Sequence, residues 1–152
     1  MHLRKFLLAV GTLAATAVVS LPVSAQESPL TGRWTFFDLG TRSVTPNELQ
    51  SSCMTDWDSI APDGSLVGYS MDEGGLLTVH FAGFCEVNGS RVFCQYLLDS
   101  EQGVVNDTEE GEIEIIRPDV IDYFILGPNG KPDREASWTY FRCPPSAGFS
   151  VG

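Results

Sequence analysis

Apolar and polar side chains alternate with a period of two along most of this chain, the signature of half-buried β-strands. Residues 32–39 (GRWTFFDL) put Trp34 and Phe36 on one face and Thr35 and Phe37 on the other. The same rhythm recurs at 54–60, 65–71, 76–86, 91–98, 110–117, 120–126 and 135–143. Turn chemistry separates these runs: Ala61-Pro62-Asp63-Gly64, Asp72-Glu73-Gly74-Gly75, Asn88-Gly89, Pro118-Asp119 and Gly127-Pro128-Asn129-Gly130. Residues 103–108 read as a polar loop. One helical turn is expected at Thr45-Pro46-Asn47-Glu48, where Thr can cap, Pro suits the first helical position and Glu can reach back to the cap amide. That turn is expected to end near Ser51.

Eight short strands joined mostly by tight turns bury their edges best by closing. The predicted fold is therefore an all-β, eight-stranded antiparallel up-and-down barrel with one short helical turn. A two-sheet sandwich is the alternative.

The N-terminus breaks the pattern. A positive head (MHLRK) precedes an apolar run over residues 6–21, and Val23-Ser24-Ala25 places small residues where signal peptidase requires them. Residues 1–25 read as a cleaved signal peptide, residues 26–143 as one barrel domain and residues 144–152 as a flexible tail. The apolar run is shorter than the roughly 20 residues of a spanning helix, so no membrane anchor is expected after cleavage. The implied location is periplasmic or secreted.

Loss of Arg4 and Lys5 with the leader leaves seven basic residues against twenty acidic, a net charge of −13. Such a surface repels nucleic acid and anionic membranes. Four cysteines remain, Cys53, Cys85, Cys94 and Cys143. An even count in an exported chain reads as two disulfides. The spacings contain no C-x-x-C pair, and His80 is the one histidine after residue 25, so no metal site is expected. If a loop at 88–91 sets Val87 opposite Val92, Cys85 lands opposite Cys94 at bridging distance. Cys53 then pairs with Cys143, which is one of three arrangements the sequence allows.

Candidate chemistry is sparse. No nucleophile and orienting acid are signalled beside His80, which reads as a surface or rim residue, and no catalytic residue or cofactor is assigned. Asp107, Glu109, Glu110, Glu112 and Glu114 read as a solvated acidic face. The aromatics are the remaining lead. Trp57, Tyr69, Phe81, Tyr96, Phe124 and Trp138 form a candidate ligand cup, although so many rings in a small barrel favour a filled interior.

Leu30-Thr31-Gly32-Arg33-Trp34 resembles the G-x-W opening of the calycin barrels, which include lipocalins, avidins and small bacterial protease inhibitors. The resemblance implies that Trp34 packs across the barrel base against a basic residue of the last strand, here Arg142. With Thr35 and Asp38-Leu39-Gly40 the opening is similar to that of avidins over about a dozen residues, but Phe36 stands where avidins place a biotin-binding Asn. A second resemblance is to periplasmic inhibitors of secreted metalloproteases, and it implies that residues 26–30 enter a protease cleft. The resulting expectation is an exported, non-catalytic binding protein, inhibitor-like or otherwise directed at an unknown extracytoplasmic protein. The alternative is a carrier of a small hydrophobic ligand.

Overall fold

The alternating segments form β1 (Gly32–Asp38), β2 (Asp56–Ile60), β3 (Ser65–Met71), β4 (Leu77–Asn88), β5 (Arg91–Asp99), β6 (Gly103–Arg117), β7 (Val120–Leu126) and β8 (Pro132–Arg142). Each pairs antiparallel with the next. β8 then returns to β1, with Trp34 opposite Arg142 and Asp38 opposite Trp138. The sheet thus closes as an up-and-down barrel in chain order, the architecture the calycin resemblance implies, and the β1–β8 ladder excludes the sandwich. The computed structural model describes residues 28–145. The expected leader at 1–25 and the tail beyond residue 145 lie outside the described residues. Among the described residues no helix is long and apolar enough to cross a membrane.

Two segments depart most from the expectation. The helical turn is a ten-residue helix, α1 (Pro46–Thr55), which takes Met54 and Thr55 from the predicted second strand. Its start is the capping box: the Glu48 amide donates to Thr45 Oγ1 (3.3 Å), and the Thr45 amide donates to the Glu48 carboxylate (2.8 Å). Its far end is held by tertiary contacts. Arg33 donates to the Cys53 carbonyl (2.8 Å), the Thr35 and Ser52 hydroxyls share a hydrogen bond (2.6 Å), and Cys53 is fully buried. The second departure is the polar stretch 103–108, which is the first part of β6, with Leu98 opposite Val104 and Tyr96 opposite Asp107. A strand exposed on its outer face needs no apolar residues there. The reversal is confined to residues 100–102, where Asp99 Oδ1 accepts from the amides of Glu101 (2.9 Å) and Gln102 (3.0 Å).

Helix α1 creates a second dry layer outside the barrel wall. A disulfide joins Cys53 to Cys143, and Trp57 packs against it, stacked on Tyr69 (ring centroids 5.3 Å apart) with the Arg33 guanidinium 4.6 Å from its ring. The other disulfide, Cys85–Cys94, links facing residues of β4 and β5 inside the barrel. The β4–β5 connection is shorter than the expected four residues, because Asn88 pairs directly with Arg91.

The floor is built around Trp34, which is 1% exposed. Its indole N–H donates to the Leu30 carbonyl (2.6 Å), and the Arg142 guanidinium lies 4.3 Å from its ring. Arg142 also donates to the carbonyls of Thr31 (2.5 Å) and Pro29 (3.2 Å). Gly32 makes this approach possible: its φ of +131° disfavours any side chain, and a Cβ there would collide with Arg142 Nη1.

Candidate ligand-binding cavity

Above this floor the barrel encloses a cavity of about 460 Å³, so the interior is not the filled core that the number of rings suggested. Its lower part is apolar, walled by Leu30, Trp34, Ile60, Leu66, Val92 and the Cys85–Cys94 bridge. Its upper part carries rings and carboxyl groups. Phe36 and Trp138 meet edge to face at 5.6 Å, Phe36 and Tyr140 lie 5.9 Å apart, and Phe81 and Tyr96 meet edge to face at 5.5 Å.

Carboxyl groups and tyrosine hydroxyls meet inside. Glu109 Oε1 accepts from the hydroxyls of Tyr123 (2.6 Å) and Tyr96 (3.3 Å), and Tyr140 is hydrogen-bonded with Asp58. The Tyr123 ring lies against Gly111, where any Cβ would clash with it, and this close approach brings its hydroxyl to Glu109. Asp58 is 8% exposed. Burial pushes its carboxyl up to about 7, the charges of Asp56 and Glu109 push the same way, and the Tyr140 hydrogen bond opposes them. Burial, followed by the charges of Glu109 or Asp58, raises the Tyr96, Tyr123 and Tyr140 phenols far above their usual range, so all three stay protonated donors.

Of the predicted cup residues, Phe81, Tyr96 and Trp138 line the cavity. Tyr69 borders it, but its ring is the one stacked on Trp57. Trp57 and Phe124 do not line it. Trp57 lies between Asp56 and Asp58, which both face inward, so strand alternation sends the indole out beneath α1. Phe124 likewise lies between the inward Tyr123 and Ile125 and pairs with the outward Glu112. The acidic patch also divides: Glu110, Glu112 and Glu114 alternate with the inward residues of β6, whereas Glu109 turns into the cavity.

His80 is an extra residue of β4, skipped where Gly68 pairs with Phe81 and Tyr69 with Val79. This bulge turns it to the cavity mouth, where Nε2 lies 2.6 Å from Ser70 Oγ. The fold thus gives His80 a hydroxyl partner that the sequence did not signal. A triad would also need an acid bonded to the second ring nitrogen; Asp56, the carboxyl that feels the charge of His80, feels it through space.

Asp58, Glu109, Tyr123, Tyr140 and Phe36 are lining residues missing from the predicted cup. Two placements account for the acids among them. Asp58 shares a strand face with Ile60, and Glu109 lies directly opposite Cys94, whose bridge to Cys85 is inside the barrel.

No family model matches this chain, and no curated protein sequence matches it. Among solved structures, one similar chain is a lipocalin-like protein from Bacteroides uniformis, 16% identical, with a TM-score of 0.45. The match covers 75% of this chain and 97% of that one.

Proposed function

We propose that this protein is an exported, non-catalytic carrier that holds one small, largely apolar ligand inside its barrel. The carrying observation is the cavity of about 460 Å³, within the range of small-molecule sites and lined as they are by rings with a few polar groups. Two disulfides and no free cysteine among the described residues fit an oxidising compartment, periplasmic or extracellular.

The inhibitor-like reading has less support. It needs residues 26–30 to leave the barrel and enter another protein. Leu30 is instead 5% exposed within the core, and Arg142 grips the carbonyls of Pro29 and Thr31.

Titration with the neutral fluorophore N-phenyl-1-naphthylamine tests the carrier. Saturable one-to-one binding with a blue-shifted emission is expected. Quenching of tryptophan emission should weaken in Trp138→Phe, whose ring lines the cavity, and persist in Trp57→Phe, whose ring lies outside it. Absence of saturable binding for this probe and for medium-chain fatty acids and alcohols would overturn the proposal.

A further inference from the structure

We propose that the ligand of this cup is an organic cation, an apolar body bearing a protonated amine that sits between Asp58 and Glu109 among the surrounding rings. This rests on the carrier reading and narrows it to a ligand class.

Five carboxyl groups border the cavity: Asp56, Asp58, Asp99, Glu101 and Glu109. Against them the lining contributes His80, and no lysine or arginine among the described residues. Elsewhere the fold brings its own cations to acids and rings. Arg42 donates to the buried Asp122 at 2.7 Å, and Arg142 covers Trp34. Inside the cup, Asp58 and Glu109 meet tyrosine hydroxyls. A hydroxyl is a neutral donor: it disperses a carboxylate's charge without cancelling it. Burial raises the Asp58 carboxyl and the charges of Asp56 and Glu109 add to the rise, opposed by a neutral tyrosine hydroxyl alone.

An incoming ammonium would supply the missing charge, and the faces and edges framing the site suit it. Trp138 and Tyr140 each stand within 6 Å of Phe36, and ring faces attract a desolvated cation that comes within about 6 Å of them. The apolar floor would take the rest of the molecule. A neutral ligand would leave the acids uncompensated, and an anion would meet like charge in a site of low dielectric. Among the described residues no three acidic, histidine or cysteine groups converge as metal ligands do, so a bulky ammonium suits the cup better than a compact metal ion.

Displacement of bound N-phenyl-1-naphthylamine by three compounds of one shape provides the test: tryptamine (cationic), 3-ethylindole (neutral) and indole-3-propionate (anionic). Tryptamine is expected to displace the probe at about a tenth of the 3-ethylindole concentration or less, with indole-3-propionate the weakest of the three. Glu109→Gln keeps a hydrogen-bond acceptor for the tyrosines and should bring tryptamine close to 3-ethylindole, read as the ratio of the two displacing concentrations so that any change in probe affinity cancels. Should that variant not fold, Asp58→Asn serves in its place, and the comparison on the wild-type protein stands by itself. If the probe binds but 3-ethylindole equals or exceeds tryptamine, the cation assignment is overturned and the carrier reading survives. Failure of the probe, and of medium-chain fatty acids and alcohols as well, to bind the wild-type protein removes both.

Discussion

Replacing Asp58 by Asn should make the protein more stable at neutral and alkaline pH, by an amount that grows from about pH 4 to about pH 7 and is then constant. The carboxyl is 8% exposed and is pushed up to about 7, against about 3.8 in an unfolded chain. Between those two values the native state holds a proton that the unfolded state has released. Stability therefore falls as pH rises through the window, at about 1.4 kcal/mol per pH unit. The contribution is fully present below about pH 4 and lost above about pH 7. A gap of about three pH units corresponds to about 4 kcal/mol, a large fraction of a typical domain's stability.

Asn keeps the shape and can still bond Tyr140, but it never ionises. Guanidinium unfolding followed by tryptophan emission, at intervals from pH 4 to 8.5, should give curves for the two proteins that nearly coincide at pH 4. By pH 8 they should separate, with the variant the more stable by up to about 4 kcal/mol. Comparing the two proteins removes the shared background. Glu48 and Asp63, held low by hydrogen bonds from Thr45 and Ser65, carry the opposite slope in both. Asp56, raised by burial, leaves a slope of the same sign in both. Curves that stay parallel across the whole range would refute the assignment of this cost to Asp58.

Replacing Cys53 and Cys143 together by Ser should lower stability by about 4–5 kcal/mol, and the same change at Cys85 and Cys94 by about 2–3 kcal/mol, since 90 and 9 residues separate the pairs; non-reducing denaturant curves check the order. Arg142→Met should cost about 2–3 kcal/mol by removing a guanidinium from the Trp34 ring and two hydrogen bonds from the floor, a loss readable as a lower thermal midpoint. Gly32→Ala should cost at least about as much, because it combines a disfavoured φ with a collision against Arg142, and Arg142→Met in the same chain should recover part of the loss.

The barrel was legible because a period of two over eight segments leaves few ways to bury one face. What alternation does not say is which of the two faces is inside. Residues 56–58 illustrate this: Trp57 is the larger hydrophobic group, yet the wall faces inward with Asp56 and Asp58. The outer face at Trp57 is dry because α1 and the Cys53–Cys143 bridge cover it, and that cover comes from Ser51-Ser52-Cys53-Met54-Thr55, a run with weak intrinsic helix preference held by tertiary contacts. The acidic part of the cavity was hidden for a related reason. Glu109 sits in a run of carboxylates whose composition reads as solvated surface, and only the pairing with Cys94 separates it from its outward neighbours.

The bridge between Cys53 and Cys143 also bears on the order in which the barrel assembles. The ladder of greatest sequence separation joins Trp34 to Arg142, about 108 residues apart along the chain. With the bridge in place, the path between them through the sulfur atoms shortens to roughly 20 residues. Loop entropy grows as the logarithm of length, so the shortcut removes about 1.5 kcal/mol from the cost of closing the seam. A nascent chain that meets an oxidant early would find its most remote strands already tethered as neighbours, whereas a reduced chain must bring them together by diffusion. Refolding from the oxidised unfolded state should accordingly be the faster, which makes disulfide formation a participant in folding.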